Sequence, residues 1–157
     1  MSLTEVFLSA TQCKNSSYLS VRKNNNDKNM IDNQYKYSNI TDAIIGCAIE
    51  VHKQLGPGLL ESAYEECLAF ELQSRGLRFE RQKPVPIVYK DIKLDYGYRI
   101  DILVEGSVLI ELKSVEALNV VHEAQILTYM KFAEIEVGLL INFNVLLLKN
   151  GIKKYVR

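Results

Sequence analysis

The chain has 157 residues, 48% of them hydrophobic and 24% charged, which is the length of one domain with the composition of an ordinary globular protein. Its 19 Lys and Arg balance 19 Asp and Glu. A formal charge of zero gives no support to a non-specific polyanion binder, which is normally basic overall, but it leaves room for an enzyme whose acidic ligands offset its basic contacts.

The opening MSLTEVFLSA lacks a basic segment followed by a long apolar core, so it reads as no signal peptide. Residues 1–38 are rich in Asn, Ser and Lys without sustained period and are expected to form a disordered leader. A domain then spans 39–157. Asn39 to Thr41 are expected to cap a first helix, with Asp42 in its first turn. Ile44, Cys47, Ala48, Val51 and Leu55 follow at helical spacing, and Gly56-Pro57 stops them. GLLESAYEECLAFELQSRG restarts a helix, with Leu60, Tyr64, Cys67, Leu68 and Leu72 on one face. Cys13, Cys47 and Cys67 are odd in number and show no C-x-x-C spacing. They fit neither a disulfide framework nor a zinc site, and a reducing cytoplasm is the expected location.

The period then changes. VPIVYK and YRIDILV read as strands joined by DIKLDYG, and EGS turns the chain into a third strand, VLIELK. ALNVVHEAQILTYMKFAE is helical, EVGLLINF reads as a buried strand, and VLLLKNGIKKYV as a terminal hairpin with Asn150-Gly151 in a type I′ turn. VGLLINFNVLLL is broken by Asn142 and Asn144 and is too short to span a bilayer. The order predicts an α/β fold, a mixed sheet flanked by helices.

Register decides what the charges in RIDILVEGSVLIELK can do. A three-residue loop, Glu105 to Ser107, pairs Val104 with Val108 and brings Asp101 opposite Glu111 and Arg99 opposite Lys113. Those residues then share one face with Leu103 and Leu109, while Ile100, Ile102, Val104, Val108, Ile110 and Leu112 form a wholly apolar opposite face. Two opposed carboxylates repel. Either Arg99 and Lys113 neutralise them, or a hard divalent cation sits between them.

Asp101 followed by Glu111-x-Lys113 on adjoining strands resembles the core pattern of the PD-(D/E)xK nuclease superfamily, with Ile100 where the superfamily's name implies proline. Gly58, Glu61 and Tyr64 in GPGLLESAYEECL resemble the motif of the GxxExxY protein family. Gln125 and Tyr129 in HEAQILTYMK resemble the Q-x-x-x-Y pair of the superfamily's exonuclease branch. The resemblance covers about residues 40–157.

It implies a restriction-endonuclease-like fold and a nuclease acting on nucleic acid, most simply DNA. It implies that Glu61, Asp101, Glu111 and the carbonyl of Leu112 bind Mg²⁺ or Mn²⁺ and that Lys113 assists the attacking water. Gln125, Tyr129 and Arg99 would then bind substrate or support those groups. A homodimer or a partner protein would suit a neutral enzyme that cuts two strands. The alternatives are a retired nuclease fold that binds nucleic acid or protein, and a plain interaction domain whose acids are neutralised internally. Metal affinity separates the first reading from both.

Overall fold

The computed structural model describes residues 37–94 and 97–157; the expected leader lies outside the described residues except for its last two positions. The elements are α1 (Ser38–Leu55), α2 (Glu61–Ser74), β1 (Phe79–Pro84), β2 (Ile87–Tyr89), β3 (Ile92–Leu94), β4 (Arg99–Val104), β5 (Val108–Lys113), α3 (Val120–Phe132), β6 (Val137–Asn142), a 3-10 turn (Leu148–Asn150) and β7 (Ile152–Val156). Five strands form one sheet in the order β1-β4-β5-β6-β7, and β2-β3 form a separate hairpin. Only β5 and β6 among the sheet's neighbours run parallel. Parallel neighbours need a crossover, and α3 supplies it.

Alternation along the strands sorts the core into two layers. On one face Ile102, Val104, Val108, Ile110 and Leu112 join Val137, Leu139 and Ile141 of β6. They pack against Ile44, Val51, Leu68 and Leu72 of α1 and α2. On the other face Leu103, Leu109 and Leu140 pack against Ile126, Tyr129 and Met130 of α3. All six residues of β5 and all six of β6 are buried, as a strand covered on both faces requires.

The α3 layer sits close because β6 carries a glycine there. A Cβ at Gly138 would fall 2.6 Å from Met130 Sδ and 3.1 Å from Ile126 Cδ1. Gly138→Ala should therefore overpack this layer and cost about 1–3 kcal/mol. Urea unfolding should show a lower midpoint at unchanged slope.

Several expectations are corrected. The sheet's first strand is β1, FERQKP, an exposed edge strand whose charges hide its period, whereas VPIVYK and DIKL form the separate hairpin. Helix α1 begins at Ser38 without a side-chain cap; Thr41 Oγ1 donates instead to the Ser38 carbonyl at 2.9 Å. Leu60 is 77% exposed and lies outside the apolar face of α2. Ile100 packs in the α3 layer, not with Ile102. Gly151 has φ −97°, so Asn150-Gly151 is no type I′ turn. Strand β7 pairs with β6 and forms no hairpin with the segment before it.

Candidate active site

The β4–β5 register is the one the three-residue turn demands: Val104 faces Val108, Leu103 faces Leu109 and Ile102 faces Ile110. The ladder stops there. Strand β4 stays with β1 as far as Arg99, and β5 stays with β6 as far as Lys113. The two central strands thus part where Asp101 and Glu111 would be opposed, the position where like charges weaken pairing. The Leu112 N–H, left without a β4 carbonyl, donates to Asp101 Oδ2 at 2.7 Å. The Lys113 carbonyl accepts from the Phe143 N–H at 2.8 Å, so alternation turns the Leu112 peptide toward the gap.

Glu111 is 2% exposed and Lys113 is 9% exposed. Lys113 Nζ donates to Glu111 Oε1 at 2.7 Å, and Glu111 Oε2 is buried with no partner among the described residues. Burial, then the charge of Asp101, pushes the Glu111 carboxyl up to about 7, against the pull of Lys113. Burial also raises Asp101, with the Leu112 N–H opposing. Burial works against the Lys113 ammonium, but its bond to Glu111 and the charges of Glu111, Glu61 and Asp101 outweigh that and raise it. Arg99 takes no part in this pairing; its Nη1 donates to the Gln82 carbonyl at 3.4 Å.

A stability profile follows. Native Glu111 holds its proton up to about pH 7, whereas the unperturbed carboxyl releases it near 4.5. The native state therefore binds more protons in that window, and metal-free stability falls as pH rises through it. Asp101 acts in the same direction. Thermal melting in EDTA should give a higher Tm at the acid end of the window than at its neutral end; the reverse order would contradict the assignment.

Helix α2 brings a third acid to the rim. Glu61 Oε1 accepts from the Ser114 N–H at 3.1 Å, and Ser114 Oγ donates to the Leu59 carbonyl at 2.6 Å. The exit of β5 is thereby tied to the start of α2. Gly58 has φ +102°, a conformation that disfavours any side chain. Tyr64 is fully buried and stacks on Phe143 with centroids 4.3 Å apart. Its hydroxyl donates to the Gly56 carbonyl at 2.7 Å and accepts from the Leu59 N–H at 3.1 Å. Gly58 bends the loop, Tyr64 fastens it, and Glu61 is presented at its end. Tyr64→Phe removes both bonds from the loop and should cost about 1 kcal/mol, the net worth of ordinary hydrogen bonds, read as a lower Tm.

The three acids are not closed into one cage. Among the described residues, no group of three or more His, Cys, Asp or Glu could hold a metal together. The charge of Asp101 raises Glu111, and Glu61 acts on both through its charge. On α3, Asn119 and His122 form a capping box. Gln125 Nε2 donates to Tyr129 Oη at 3.1 Å. Burial raises the Tyr129 phenol, with Glu111, Lys113 and Asp101 near enough to act on it.

Three residues escape a reading of the sequence. Ser114 adjoins the E-x-K triplet but carries no pattern of its own. Glu65, which reads as a solvated helix charge, is buried and accepts from Arg81 Nε at 2.8 Å and Gln82 Nε2 at 2.7 Å; its place one turn after Glu61 is the available signal. Asn142 bonds both the N–H and the carbonyl of Val115, fixing the segment after Ser114.

A five-stranded mixed sheet between helices, with an acid and an E-x-K triplet where its central strands part, defines a restriction-endonuclease-like nuclease fold. Residues 38–155 match the PD-(D/E)XK nuclease superfamily, and the chain belongs to it. No curated protein and no solved structure matches the chain. The superfamily's general activity is nuclease-type cleavage. Among the described residues no helix is long and apolar enough to cross a membrane.

Proposed function

We propose that this protein is a Mg²⁺- or Mn²⁺-dependent nuclease of the GxxExxY group, with DNA as its substrate. The observation that carries the reading is Glu111 Oε2, a buried carboxylate oxygen without a partner among the described residues, beside a second carboxylate. An unpaired buried acceptor is costly, and a hard cation bound by oxygens relieves both the missing partner and the repulsion. Asp101, Glu111 and the Leu112 carbonyl would hold the ion, with Glu61 at the rim. When bound, it supplies Lewis acidity toward the scissile phosphate and acidifies water.

The chain's own groups do the rest. Lys113, kept protonated by its acidic neighbours, directs N–H bonds at the attacking water and balances charge on the transition state. Gln125 orients Tyr129, and the pair holds the floor of the site through α3. Arg99, whose Nη1 donates to the Gln82 carbonyl, would meet substrate phosphate.

The test is incubation of labelled single-stranded DNA, duplex DNA and RNA with Mg²⁺, Mn²⁺ or EDTA. Cleavage of DNA with metal alone is expected. Intact substrates under every condition would favour a retired binding module instead.

A further inference from the structure

The β2–β3 hairpin is exposed where an isolated two-stranded ribbon gains little stability by itself. Register pairs Ile87 with Leu94, Val88 with Lys93 and Tyr89 with Ile92. Alternation therefore places Ile87, Tyr89, Ile92 and Leu94 on one face. Ile87, at the base, packs against the α3 core layer, the layer that contains Tyr129. Farther out on the same face, Tyr89 is 61% and Ile92 58% exposed. Tyr98, 43% exposed, meets Tyr129 edge-on with centroids 6.5 Å apart. An apolar and aromatic shelf thus runs outward from the candidate active site. Cations accompany it: Lys90 Nζ lies 5.4 Å from the Tyr89 ring centroid, and Arg99 follows Tyr98.

We infer that this shelf binds a single strand of nucleic acid, stacking bases on Tyr89 and Tyr98 while Lys90 and Arg99 meet the backbone. The inference rests on the nuclease reading for the strand's destination. Exposed rings interleaved with cations suit unstacked bases; the faces of a duplex's bases are already covered. The three-residue strands reach roughly 10 Å, the span of two or three bases.

The test is fluorescence anisotropy of a labelled oligothymidylate in EDTA, with wild type, Tyr89→Ser and Lys90→Glu. Mn²⁺ calorimetry on the same proteins reads the metal site separately. Tyr89→Ser should weaken binding roughly tenfold, and the charge reversal should weaken it and flatten its salt dependence, with Mn²⁺ binding unchanged. Equal affinity in all three proteins would overturn the inference, as would tighter binding of a duplex of the same length. Absence of Mn²⁺ binding to wild type with oligothymidylate binding intact would instead sink the nuclease reading and leave the shelf standing.

Discussion

Glu111→Gln and Asp101→Asn should each reduce metal-dependent cleavage by at least about a thousandfold, about 4 kcal/mol of barrier, while the protein stays folded. These isosteric changes matter more than alanine here. Glu111 Oε1 accepts from Lys113, and removing the whole side chain would leave a buried ammonium unpaired, which is strongly destabilising. A glutamine oxygen can still accept that bond. Likewise an asparagine oxygen can still accept the Leu112 N–H that Asp101 Oδ2 receives. What both variants lose is negative charge at the gap between β4 and β5. In the metal-free protein at neutral pH, Glu111→Gln should even relieve the burial of charge and the repulsion from Asp101 that raise Glu111. Unfolding curves beside the activity assay check both halves. Full activity in either variant would remove that carboxylate from the site.

Lys113→Met should lower the cleavage rate by about a hundredfold to ten-thousandfold, the range for loss of a group that acts on the attacking water. Metal binding should survive, but its pH dependence should move. Lys113 holds the Glu111 carboxyl down, through both a hydrogen bond and its charge. Without it Glu111 should keep its proton to a pH above 7. Cations bind the deprotonated carboxylate, so the midpoint of metal binding should shift to higher pH. A lysine that only pairs with Glu111 would move that midpoint but leave the rate at saturating metal unchanged, so the rate measured there distinguishes the two roles.

Much of this site is legible in the sequence because period-two alternation fixes the register of a short hairpin. The Glu105–Gly106–Ser107 turn and the apolar residues around it are enough to place Asp101 across from Glu111. What alternation misses is that the ladder ends at Ile102 and Ile110; electrostatic repulsion and the side-chain bond from Asp101 decide that, and neither has a period. The same limit explains Ile100, which changes layer where the pairing ends. Strand β1 escapes because an edge strand need not alternate, and Gln82 within it has φ +50°. Ser114 and Asn142 act through hydrogen bonds to segments distant in the chain, which leave no mark on local sequence. Glu61 is expected as a ligand by resemblance, yet its carboxylate is held by the Ser114 N–H at the rim.

The most direct test is calorimetric titration of Mn²⁺ into the wild-type protein beside Asp101→Asn and Glu111→Gln, above and below about pH 7. Saturable binding to wild type that weakens on the acid side and is lost in both variants is the expected result. Absence of binding to wild type, or equal binding in all three proteins, would contradict the assignment of Asp101 and Glu111 as the metal site.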